Sequence, residues 1–324
     1  MQEIDHNIVS QIESIFLPSL KTRRDEVKVQ KGRFVHYTSA ENAIKIIQSK
    51  TLWMRNAKCM NDYMEISHGH QLLVKFFEDD NRRKMFYDAL KPCGKEIAQN
   101  ALDQFDAWWR NIELNTFISA ISEHEPAEDK DGRLSMWRAY GQPAAKAAIV
   151  LNVPFNPPGA TKGLKLILSP VAYYGYEGVE RELYTVINNI KKNTNFLVTQ
   201  GAEIVTSTIF YMLLLASVSL KYEGFKEEKE WRVIYLPNLN ASKLISFSIE
   251  TISGVPQIVY QIPLEDNQTE DVIGVGIPQL VDRIIIGPSV YPFPMYQAFT
   301  AALKEAGVKD YDTKVIVSRI PLRT

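Results

Sequence analysis

The chain has 324 residues, 45% of them hydrophobic and 23% charged, which is enough apolar material for one large or two modest cores and excludes general disorder. A formal net charge of -1 excludes bulk electrostatic attraction to nucleic-acid backbones or anionic lipid. Two cysteines, Cys59 and Cys93, without a CxxC pair, exclude a disulfide framework or a cysteine zinc site and fit a reducing cytoplasm.

The opening residues, MQEIDHNIVSQIESIF, lack a basic start and a long apolar core, so no secretory signal is expected. Ile4, Ile8, Ile12, Ile15 and Phe16 recur at helical spacing and predict an N-terminal helix over about 3–17 with one sticky face. Lys21, Arg23, Arg24, Lys28, Lys31 and Arg33 form a local basic stretch, diluted by Asp25 and Glu26 and expected to be a solvated linker. RFVHYTSAENAIKIIQSKTLWMR then reads as strand, helix, strand, with Thr38 and Glu41 as a capping box. Asn61 or Asp62, answered by Glu65, caps a mostly helical section over about 62–112 that breaks near Pro92 and Gly94.

TFISAI is a strand candidate, and an acidic loop leads through SMWRAYG to the strand AAIVLNV. A second helical section is expected over about 180–222. Its most apolar run, Ile209 to Leu220, is too short for a membrane span and reads as a buried helix, so no membrane association is expected. From Trp231 onward WRVIYL, KLISFSI, QIVYQI, DRIIIGP and TKVIVSRI are strands, interrupted by a helix at about 292–306. Without a Pro/Gly/Ser-rich linker the reading is one α+β domain over 1–324, with strands from both ends sharing a mixed or antiparallel sheet and helical insertions between them.

Three places could carry chemistry. His36 lies on the first strand, beside a helix N-terminus whose free N–H groups favour anions; a core histidine bonded to backbone is the competing reading. In SMWRAYG, Trp137 and Tyr140 share a helical face, more commonly a core feature than a platform for a flat ring, while Ser119 on the preceding strand could approach a ligand closely. In FKEEKEWRVIY, Glu228 and Glu230 stand two apart, so an extended chain points both to one side with Arg232; they are either an ion-pair ladder or paired acids for departure of a leaving group from a ribose.

HYTSAENAIKIIQSKTLWM, NDYME, MWRAYG, EKEWRVIY, DRIIIGP and VSRIPLR, in that order from about residue 33 to the end, resemble a bacterial domain family of unknown function. A histidine on a first strand, a Tyr or Ser on a later one and E-x-E at the start of another more distantly resemble the ADP-ribosyltransferases. That likeness implies an ADP-ribosyltransferase-type sheet and NAD as substrate. It implies Glu230 as the catalytic acid, Glu228 as the acceptor-side acid, His36 at the NAD ribose, and Tyr37 and Thr38 beside it among the NAD-binding residues. Tyr140 would stack on nicotinamide, with Tyr37, Tyr173 and Tyr174 as substitutes, and Ser119 stands in a segment that only approximates the serine motif of one subclass. Further implications are a macromolecular acceptor, protein or nucleic acid, a role as toxin or phage-defence effector, and an antitoxin or regulatory partner.

Rival readings remain. The pair His68 and His70, near Asp62 and Glu65, looks like a metal site, yet helical positions two apart do not face each other. Glu227 and Lys229 spell E-x-K without the strand acid a nuclease needs. The stronger alternative is a non-enzymatic module that binds a nucleotide or a partner.

Overall fold

The computed structural model describes residues 6–60, 66–139, 145–154 and 161–321. Strands run β1 Arg33–Ser39, β2 Thr51–Asn56, β3 Phe117–His124, β4 Lys146–Leu151, β5 Ile167–Pro170, β6 Ala172–Tyr173, β7 Leu220–Lys221, β8 Glu230–Tyr235, β9 Ser246–Ile252, β10 Val255–Pro263, β11 Val281–Ile286 and β12 Val315–Val317. Helices run α1 His6–Phe16, α2 Pro18–Val29, α3 Ala40–Ser49, α4 Ser67–Glu78, α5 Asp80–Leu90, α6 Ile97–Asn115, α7 Leu134–Ala139, α8 Tyr176–Lys192, α9 Thr194–Gln200, α10 Ala202–Ser219, α11 Ile277–Leu280 and α12 Pro292–Glu305. The fold is α+β, with a mixed, mostly antiparallel sheet that strands from both ends of the chain share.

The chain clusters into two compact units, one of Met1–Val27, Ala57–Thr116 and Ser169–Lys226, the other of Lys28–Asn56, Phe117–Leu168 and Glu227–Thr324. The first is helical. Its α10 is apolar nearly all round, as a helix surrounded by others must be. Among the described residues it alone is long and apolar enough to cross a membrane, and 56% of it is buried within the fold, as in a core helix. Helix α4 crosses α10 at Gly69, where a Cβ would lie 2.5 Å from the Ser217 carbonyl oxygen, so the backbones meet only because the side chain is absent. The expected opening helix forms as α1 and docks on α8 and α10. The basic stretch, expected as a linker, is largely helix α2. Its charges pair at helical spacing, Lys21 with Asp25 and Arg23 with Glu26, and Arg24 reaches Glu13 of α1.

The second unit is built on the sheet, in the order β12-β11-β4-β1-β3-β2-β10-β9, with β8 on the remaining side of β3. β1 pairs with β3 through Arg33–Val35 against His124–Ser122, and β2 pairs with the same edge further along, Arg55 against Ile118 and Asn56 against Phe117. β8 takes the opposite edge from Phe117 to Ser122. Between β1 and β2 the sheet is therefore split, at Ser119, Ala120 and Ile121. Helix α3 connects the two strands across this split, and its N-cap is Ser39, whose hydroxyl accepts from the Asn42 N–H at 3.2 Å. That corrects the expected cap at Thr38 by one residue, because β1 continues through Thr38 and Ser39 to pair with β4. Asn61, Asp62 and Glu65, expected to cap the next helix, lie outside the described residues.

Candidate functional site

Strand partners present their side chains to the same face, so the register assigns every predicted residue a side. Val35 opposes Ser122, which opposes Glu230. Glu230, Ser122, Arg232, Val35 and Tyr37 therefore share one face. His36, Thr38, Ser119 and Trp231 belong to the other. The arrangement expected from the resemblance, with imidazole and acid lining one crevice, is not formed by this register.

His36 fills the split instead. Its Nδ1 donates to the Ala120 carbonyl at 2.9 Å, on the edge of β3 that neither β1 nor β2 reaches. A carbonyl only accepts, so Nδ1 carries the proton and the neutral ring keeps Nε2 as an acceptor. Burial lowers the His36 pKa below 6.5, and the bond to Ala120 opposes that only in part. The Ser119 hydroxyl on the same face is buried and has no hydrogen-bond partner. Thr38 is partly buried opposite Ala147.

Tyr37 alternates with His36 and faces the core. It packs with Val35, Met136, Trp137, Ala148, Val150 and Ile285, its ring edge-on to Trp137 at 4.9 Å. Its hydroxyl accepts from the Arg133 N–H at 2.8 Å, and burial pushes its pKa up to about 12. Trp137 is 1% exposed, so this tryptophan is core. Gly132, at φ +68°, makes its place: a Cβ there would lie 2.6 Å from the indole. Tyr140 lies outside the described residues.

Glu230 is the first residue of β8, and at 4% exposure it is a buried carboxylate. Arg232, fully buried, donates from Nε to its Oε1 at 3.1 Å. Glu228 corrects the expectation of two acids side by side on a strand. It closes a 3-10 run, Glu223–Glu228, and Lys229 follows at φ +45°, so the chain is not extended where the two-residue alternation was assumed.

The chain entering β8 is held by a residue that the motifs did not single out. Arg133 donates from Nη1 to the carbonyls of Glu227 and Glu228 at 2.9 and 3.0 Å, and from Nη2 to that of Glu123 at 2.8 Å. Its Nε and Nη2 also bond the Glu128 carboxylate, at 2.7 and 3.1 Å. Beside it, His124 Nε2 donates to Asp129 at 2.8 Å, and Arg33 bridges Asp129 and Asp282 at 2.7 and 2.8 Å. On the opposite face Trp231 stands edge-on to Phe34 at 5.1 Å, and its indole N–H donates to Glu123 at 2.7 Å. The one available signal was the density of charge in HEPAEDKDGR, which reads as a solvated loop until its partners on β3 and β8 are known.

Among the described residues no group of three or more His, Cys, Asp or Glu is placed to hold a metal ion. His68 Nε2 contacts the Tyr174 carbonyl at 3.3 Å, and His70 stacks on Trp109 with ring centroids 3.6 Å apart. Two surface cavities of about 650 and 670 Å³ lie in the helical unit, and none of the predicted site residues lines either. Comparison of the chain with protein-family models, curated proteins and solved structures finds no match.

Proposed function

We propose that this protein is an ADP-ribosyltransferase-like enzyme that uses NAD, with Glu230 as its acid. The observation that carries the reading is the burial of Glu230 with Arg232 at the first residue of β8, which pairs with β3. A buried ion pair is a poor stabilising device, because apolar residues of the same volume serve at least as well. A chain that keeps one on β8, across β3 from the split edge, has a use for the charge. Cleavage of the nicotinamide–ribose bond builds positive charge on the ribose, and a fixed carboxylate in a dry site stabilises it by a factor on the order of a hundred to ten thousand. Arg232 would hold the carboxylate in one orientation. The reading does not require Glu228 or His36: the first sits on a turn, and the second, on the other face, closes the split.

A second reading, a module that binds a nucleotide or partner without turnover, is favoured by the pairing of Glu230 with Arg232. The two separate by incubation with NAD labelled in the adenylate half and a cell lysate, followed by protease or nuclease digestion to find which macromolecule keeps the label. Glu230→Gln alone removes one charge of the buried pair and is expected to cost about 3–5 kcal/mol of stability. The informative variant is therefore Glu230→Gln with Arg232→Gln, which removes both charges at nearly constant volume. Wild type is expected to transfer label and the folded double variant to lose transfer by at least a hundredfold. Equal transfer by both removes Glu230 from the chemistry, and NAD binding without transfer by wild type leaves the second reading.

A further inference from the structure

The hairpin β9–β10 ends the sheet, and β10 covers only one side of β9. Among the described residues no strand lies on the other side of Ser246–Ile252. The pairing runs from Ser246 opposite Gln261 to Ile252 opposite Val255 with no shift, so no bulge turns this edge away. The strand, SFSIETI, contains no lysine, arginine or proline, and Glu250 is its one charge. Natural sheets use bulges, prolines and charges to keep an edge from pairing with another chain, and β9 has one such charge.

The hairpin also exposes apolar surface on one face. Phe247 is 63% exposed, Ile249 73% and Ile258 45%, with Ile249 directly opposite Ile258 and Phe247 opposite Tyr260. Glu250 alternates onto the other face, where its carboxylate accepts from the Ser248 hydroxyl at 2.8 Å.

We propose that β9 is a homodimer edge, extended by β9 of a second copy of this chain running antiparallel about a two-fold axis at Ile249. In that register Ile249 meets Ile249 of the second copy, Phe247 meets Thr251, and Ser248 meets Glu250. The apolar stripe then continues across the axis with no charge on its face, and each carboxylate stands opposite a hydroxyl. A parallel in-register pairing would set Glu250 against Glu250, and like charges directly opposite are destabilising. The two-fold arrangement closes at two copies and leaves no β9 edge to recruit a third. A strand pair with a short apolar stripe is smaller than the roughly 1,200–2,000 Å² of a standard interface, so the dimer dissociates on dilution.

Sedimentation of the full chain over two decades of concentration tests this, with Ile249→Lys and Ile249→Glu as variants. Residue 249 is exposed, so both variants keep the wild-type circular dichroism. Each alone sets two like charges face to face at the axis and raises the dissociation constant at least about tenfold. Mixed in equal amounts they form a Lys–Glu pair and dimerise again, which only a self-opposed position predicts. A wild type that is monomeric throughout overturns the proposal, as does a Lys variant that dimerises like wild type or a mixture that stays monomeric.

Discussion

Arg133 shows what a guanidinium does that a point charge cannot. Its fork reaches three backbone carbonyls and one carboxylate at once, tying the end of β3, the turn Pro126–Glu128 and the chain entering β8 into one piece. The side chain is 11% exposed and its bonds to the Glu123 and Glu228 carbonyls and the Glu128 carboxylate are part-buried, so truncation leaves those three acceptors with little water to replace the lost bonds. Arg133→Ala is expected to lower unfolding free energy by about 3 kcal/mol. Arg133→Lys keeps the charge but not the planar fork and is expected to recover less than half of that. Urea unfolding at neutral pH measures both, and a loss below about 1 kcal/mol for the alanine variant would show that the clamp is dispensable. Since the clamp fixes the turn before Glu230, both variants should also loosen the 223–228 run, visible as faster amide exchange there.

At the scale of elements, the same peptide can look like a site and be a crossing. His68-Gly69-His70 invites a metal, yet its decisive residue is the glycine, which lets α4 press against the backbone of α10. Gly69→Ala forces that contact apart and is expected to cost about 1–3 kcal/mol, while Gly175→Ala, where a Cβ meets nothing within 4 Å, stays within about 0.5 kcal/mol. Thermal melts of the two variants side by side decide it, and equal midpoints would refute the crossing. Periodicity and caps made most helices and strands legible, because α3, α8, α12 and β8 to β11 each carry their own local signal. What stayed hidden depends on partners far along the chain. His36 and Tyr37 must alternate whatever the fold, but which of them shares a face with Glu230 follows from the register of β1 on β3 and of β3 on β8. Glu228 was lost to the left-handed backbone at Lys229, a conformation that no side-chain pattern around it announces. Arg133 and Gly69 escaped notice because the Glu227 and Glu228 carbonyls that the one binds and the Ser217 backbone that the other meets lie far along the chain from them.

The distribution of buried imidazoles sets a property of the whole molecule. Three of the five histidines, His36 and His124 in the sheet unit and His70 in the helical unit, have pKa values lowered from 6.5, each chiefly by burial. The Ala120 carbonyl, Asp129 and Asp106 respectively act against the shift without reversing it. Depressed bases bind fewer protons folded than unfolded once the pH falls through the unfolded value near 6.5. Stability then rises with pH in that range, so their contribution is complete above about pH 7 and is lost progressively toward pH 5. The depressed carboxylates act elsewhere: Asp131 and Asp282, lowered from 3.8, keep their contribution until the pH falls below about 5. The melting temperature is therefore expected to be level between about pH 8 and 7, to decline to about pH 5 on account of histidine, and to steepen below that on account of carboxylates. His36→Gln, which keeps a donor for the Ala120 carbonyl without a titrating group, should flatten the first decline and leave the second unchanged. A melting temperature that rises between pH 7 and 5 would mean that the imidazoles bind protons more tightly in the folded chain, reversing the sign that burial assigns to all three.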